Sequence, residues 1–164
     1  LAVAERRGGN LARAEALGEQ SLADVRPALD AEPGDARVLE HAAVVRAFLG
    51  SLGRSQRRFE DALGHYRAAL RARERAAALP DAPPSAPLAR ASAEVDVARL
   101  VLDLVEVRPP SQADAARLRE AGALIARADP VLRGAPDESP APAEALAELD
   151  RQSARLRRLT ARRR

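Results

Sequence analysis

The chain has 164 residues, a formal charge of +3 and no cysteine, methionine or tryptophan. That length is enough for one domain-sized core, and the missing cysteines exclude both a disulfide framework and a thiolate metal site. No apolar run approaches the roughly 18 residues of a membrane-spanning helix, and no secretory leader is visible.

Alanine and leucine dominate the apolar residues, with one Tyr and two Phe in the whole chain. These are strong helix formers, while β-branched residues are sparse and do not alternate, so the expected class is all-α. Proline and glycine punctuate the sequence. The breaks fall at Gly8-Gly9-Asn10, Glu32-Pro33-Gly34-Asp35, Gly53-Arg54-Ser55, Pro80 to Pro87, Arg108-Pro109-Pro110-Ser111 and Asp129 to Pro142. Between them the apolar spacing predicts helices over about 1–7, 10–31, 36–52, 56–79, 86–106, 112–128 and 141–161. Asp35 and Ser111 stand where an N-cap side chain accepts an orphan amide.

All 27 basic residues are arginine. Scarce Asn, Ile, Phe and Tyr, whose codons are also AT-rich, assign this to a GC-rich coding bias rather than to phosphate recognition. The last 14 residues, RQSARLRRLTARRR, hold seven arginines and no acid, whereas the first 150 carry 20 Arg against 24 acids. Two readings stand for this end: an electrostatic contact with nucleic acid or anionic lipid, or a helix whose late arginines suit its negative terminus. No aromatic is interleaved for base stacking, so nucleic acid is not the expected partner.

An internal repeat organises the helices. Residues 9–14 align with 57–62 at an offset of 48, which also places Leu1 on Leu49 and Leu22 on Leu70. Val97-Ala98 fall on Leu49-Gly50 at 48, and Ala113, Ala116, Ala123 and Leu124 fall on Phe59, Ala62, Ala69 and Leu70 at 54. The expected organisation is 1–128 as helical repeats (1–33 partial, 36–80 best matched, 86–128 degenerate). A Pro-rich loop follows over 129–140, then a cap helix over 141–164.

The strongest unit is 47–70. Leu49-Gly50, Ala62, Tyr66 and Ala69-Leu70 keep the spacing of a tetratricopeptide repeat. Gly50 and Ala62 are small enough for two helices to approach, and Phe59, Ala62, Tyr66, Ala69 and Leu70 recur as one buried stripe. The chain therefore resembles tetratricopeptide-repeat proteins. Its long second helix, HYRAALRARERAAAL, resembles the repeats C-terminal to bacterial serine/threonine protein kinases. It departs from the family at Arg46, Gly53 and Arg57, where a Trp, an aromatic and a turn glycine are expected. No kinase motif is present.

The resemblance implies a right-handed superhelical array of antiparallel hairpins, closed by the cap helix. Its role would be a non-catalytic scaffold or regulatory module in the C-terminal part of a larger bacterial protein. It also implies a groove lined by Val44, Ala47, Ser51 and Arg54 from one repeat and by Ser92, Val95, Arg99 and Leu102 from the next. The lysines and asparagines of a carboxylate clamp are absent; Ala47, Ser51 and Ser55 stand there. Arg54 and Arg99 are the groove's candidate cations toward an acidic partner. His41 and His65 lack companions for a zinc site, and Glu60-Asp61 and Glu94/Asp96 point to different helix faces. No cofactor, metal or catalytic residue is expected. The partner is a protein or peptide, and the location is cytoplasmic unless an upstream segment anchors the chain.

Overall fold

Each of the long apolar-periodic stretches is a helix in the computed structural model, which describes residues 10–108, 111–135 and 140–162. They are α1 (Leu11–Ala31), α2 (Ala36–Ser55), α3 (Phe59–Ala77), α4 (Ala86–Val107), α5 (Ala113–Arg133) and α6 (Pro140–Ala161). No strand occurs among the described residues, so the class is all-α. The helix expected at 1–7 lies outside them. The chain divides between Pro83 and Pro84 into two compact units.

In the first unit α2 packs on both α1 and α3. Gly50 lies against Tyr66 and Gly53 against Ala62, so sequence positions run oppositely along α2 and α3, and the two form an antiparallel hairpin. The small residues set how close the helices come. A Cβ on Gly50 would stand 2.9 Å from Tyr66 Cδ2, and one on Gly53 would stand 3.3 Å from the Ala62 Cβ. On the other side of α2, Gly18 of α1 lies against the Leu49 side chain. Ala14, Leu49 and Leu52 form the buried centre there, with Leu11, Leu22, Val45 and Phe48 packed around it. Leu49, Gly50, Ala62, Tyr66, Ala69 and Leu70 are all buried, and Phe59 is half-buried at the start of α3.

The turn between α2 and α3 is set by the backbone. Arg58 N–H donates to the Gly53 carbonyl at 2.8 Å and Arg57 N–H to the Arg54 carbonyl at 3.0 Å. With Arg57 at φ 59°, this is a Schellman motif. The left-handed position that usually takes glycine holds arginine, at the place where the resembled repeat has its turn glycine. Gly53 does not end α2, as its sequence suggested. It sits inside the helix as a contact point for Ala62. Asp35 caps α2 as expected, accepting from Arg37 N–H (2.7 Å) and Val38 N–H (3.3 Å). These two hydrogen bonds hold its carboxyl below the usual range.

In the second unit each of α4, α5 and α6 packs on the other two. Gly122 faces Leu156 and Arg133 pairs with Asp150, so α5 and α6 run antiparallel. Asp103 pairs with Arg155 and Glu106 with Arg158, so α4 and α6 run parallel. The expected Pro-rich loop over 129–140 is shorter than predicted, because α5 continues to Arg133 through Pro130. Proline removes one helical donor, but the last turn is held by buried Leu132 and by Gly134 N–H on the Pro130 carbonyl at 3.1 Å. The cap expected at Ser111 is displaced: Gln112 is the N-cap and makes no side-chain cap bond, while Asp114 Oδ2 accepts from the Ser111 N–H at 2.7 Å.

The repeat offset of 54 is corrected by burial. Ala116 and Ala123 are exposed, whereas Leu118, Ala121, Leu124 and Ile125 are buried. These fall on Leu63, Tyr66, Ala69 and Leu70 at an offset of 55, all of them buried. Alanine is so common on this chain's surface that an alanine match alone carries little register information. Val97 and Ala98, matched at 48, are buried like Leu49 and Gly50.

Candidate interaction groove

The outward face of α2 carries Arg37, Glu40, His41 and Val44, at the three- and four-residue spacing that aligns side chains on one helix face. Val44 is 51% exposed, one of two large hydrophobic residues this open among the described residues. It lines a groove of about 540 Å³ with Ala36, Arg37, Glu40, His41, Val45 and Pro83. A second hollow, of about 640 Å³, shares Ala36, Arg37 and Pro83 and continues past the start of α2 to Glu32, Gly34, Asp35 and Asp81.

The walls are fixed from below. Glu40 takes both its oxygens to Arg73 of α3, at 3.0 to 3.3 Å. Arg75 donates to the Pro33 carbonyl at 2.6 Å, which ties the α1–α2 turn to α3. His41 Nε2 lies 3.4 Å from the Ser21 hydroxyl of α1. These contacts tie Glu40 and the α1–α2 turn to α3, and His41 to α1.

The predicted groove residues divide. Val44 lines the groove. Ala47, Ser51 and Arg54 continue along the same face of α2 and are half-buried. The Ser51 hydroxyl donates to the Phe48 carbonyl at 2.8 Å, and Arg54 is engaged within the protein. The set from the next repeat is corrected. Val95 and Leu102 are 2% and 0% exposed, because α4 is apolar around most of its circumference and such a helix is buried on every side. The Ser92 hydroxyl is turned to the Leu88 carbonyl at 3.0 Å. Arg99 bonds to Asp96 at 2.7 Å and lies 3.7 Å from Glu148 of α6, so its charge is answered inside the unit.

The sequence reading missed Arg37, Glu40, Val45 and Pro83, and it weighed His41 only as a metal ligand. The available signal was the run Arg37, Glu40, His41, Val44, a polar face interrupted by one aliphatic residue. It also missed a charged seam in the second unit. Arg155 bonds to Asp103 at 2.8 Å and to Glu106 at 2.7 and 2.9 Å. Gln152 donates to Glu148 at 2.8 Å, and Arg151 also pairs with Glu148. Hydrogen bonds from Arg155 hold the Glu106 carboxyl below its usual range. Burial pushes Glu148 up, but its bonds to Arg151 and Gln152 outweigh that and leave it lowered. Arg151, Arg155 and Arg158 of the arginine-rich end are therefore neutralised within the unit.

His65 of α3 is partly buried, and burial pushes its pKa below the ordinary histidine range. Arg46 of α2 adds to that, while Glu19 and Glu15 of α1 and Asp61 oppose it. Among the described residues no three His, Cys, Asp or Glu side chains gather closely enough to hold a metal ion. No described helix is long and apolar enough to cross a membrane. No family model, curated protein or solved structure matches the chain.

Proposed function

We propose that this chain is a non-catalytic protein-interaction module, of tetratricopeptide-repeat type, that docks a segment of a partner protein on the open face of α2. The observation that carries this reading is Val44, a half-exposed aliphatic side chain in a groove beside Glu40 and His41, which are bonded to α3 and α1. An apolar anchor site with a preformed polar surround is what short-segment recognition uses. The repeat assignment is supported by the α2–α3 hairpin, where Gly50 receives Tyr66, Gly53 receives Ala62 and Arg57 takes the left-handed turn position. A place in the C-terminal part of a larger, kinase-linked bacterial protein belongs to this proposal on the sequence resemblance alone.

Panning a random peptide library against the full chain tests the docking reading. Peptides that bind the chain and lose binding to Val44→Glu support it. Because Val44 is open, that substitution leaves the helical circular dichroism unchanged. Enriched peptides that bind Val44→Glu equally well place the site elsewhere. The other reading, an anionic surface or nucleic acid held by the arginine-rich end, is weakened by the internal pairing of Arg151, Arg155 and Arg158.

A further inference from the structure

We infer that the partner segment is basic: an aliphatic residue that seats over Val44, next to an arginine or lysine that reaches the acidic end of the same groove. This rests on the docking reading above and adds the chemistry of what docks.

The two hollows share Ala36, Arg37 and Pro83, so the aliphatic end and the acidic end form one continuous surface of the first unit. Its lining holds four acids, Glu32, Asp35, Glu40 and Asp81, against one arginine, Arg37, and one histidine, His41. Two of the acids are already answered. Glu40 is paired with Arg73 at 3.0 Å. Asp35 caps α2 and has Arg37 at 3.7 Å. Glu32 and Asp81 are exposed and have no ion-pair partner among the described residues. They belong to the turn before α2 and to the loop after α3, and they line the same hollow. Two carboxylates from separate segments facing one cleft favour a cation there, an attraction that salt screens because both are exposed. Arg37 answers Asp35 at 3.7 Å with its side chain 94% exposed, and it makes no ion pair with Glu32 or Asp81.

The first unit, residues 1–83, carries 13 arginines against 12 acids, so it is close to neutral as a whole and the acidic lining of this cleft is a local excess. A basic segment is drawn to that local excess. An acidic segment meets the opposite field. Charge of this kind sets which partner docks and in what register more than it sets affinity.

The experiment uses the full chain, its Glu32→Lys/Asp81→Lys double variant and Val44→Glu. Peptides enriched from a random library are measured by fluorescence anisotropy. Each is paired with a twin in which every Arg and Lys is replaced by Glu. The expected result is that enriched peptides carry an aliphatic residue beside Arg or Lys. Their affinity falls about tenfold in the double variant, and the gap narrows as salt is raised. The Glu twins bind the double variant better than the native chain. If the enriched peptides are acidic or neutral, or if the double variant binds them unchanged while Val44→Glu does not, the charge inference is overturned and the docking reading stands. If no peptide is enriched, or binding survives Val44→Glu, the docking reading itself is overturned.

Discussion

Gly50→Ala and Gly64→Ala place the same methyl group on the neighbouring helices of one hairpin, with opposite expected results. Both replacements gain helix propensity of about 0.8–1.0 kcal/mol. At Gly64 nothing lies within 4 Å of the new Cβ, so that gain is realised in full. At Gly50 the new carbon stands 2.9, 3.0 and 3.1 Å from Cδ2, Cε2 and Cγ of Tyr66. Carbon pairs are most favourable at about 3.5–4.0 Å, so three contacts are each short by about half an ångström. The Tyr66 ring is buried and has no open side to retreat to. Overpacking of this kind costs about 1–3 kcal/mol. The propensity terms cancel between the two variants, so their stability difference reads the helix–helix contact alone. That difference is about 1–3 kcal/mol, which separates their melting temperatures by at least about 4 °C for a unit of this size. Thermal unfolding followed by far-UV circular dichroism measures it. Adding Tyr66→Leu to Gly50→Ala recovers most of the loss, a coupling that a double-mutant cycle reports. Equal melting temperatures for the two glycine variants would refute the close α2–α3 approach.

Arg57→Gly stabilises the first unit by about 0.5–1 kcal/mol in urea unfolding, since arginine in the left-handed region costs about 1–2 kcal/mol and glycine's extra chain entropy returns part of it. Arg155→Ala costs about 2–4 kcal/mol by removing its ion pairs with the buried Asp103 and with Glu106, whereas Arg158→Ala, with its side chain 59% exposed, changes stability by less than about 1 kcal/mol. For His65 the folded pKa lies below the unfolded value of about 6.5. The unfolded chain therefore binds the proton first. The stability contributed by neutral His65 is present above about pH 6.5 and is lost as pH falls from there through the folded pKa. Stability measured against pH should fall less steeply in that window for His65→Gln.

Much of the fold was legible because helix formation here is written locally. The breaks at Glu32 to Asp35 and Pro80 to Pro87, and the Asp35 cap, lie where propensity and capping chemistry agree. Motif spacing put Gly50 and Ala62 at the helix–helix approach, whereas Gly50 meets Tyr66 and it is Gly53 that meets Ala62. What was not legible depends on tertiary packing. Gly53 read as a break because glycine is a poor helix former, yet contact with Ala62 keeps it helical. Pro130 read as a stop, yet buried Leu132 carries α5 one turn further. Val44 is open and lines a groove, whereas Val95 and Leu102 are buried, because family position does not say whether a helix is covered on its second side. The acidic end, from Glu32 and Asp81, joins residues far apart in sequence, and no local pattern announces it.

The most direct test of the docking account is methyl NMR of the full chain titrated with the tightest library peptide. The account predicts that the Val44 and Val45 methyl signals shift and saturate together, at the affinity read by anisotropy, while those of Val97 and Leu102 in the second unit stay in place. Shifts confined to the second unit, or saturable binding that leaves Val44 unmoved, would contradict it.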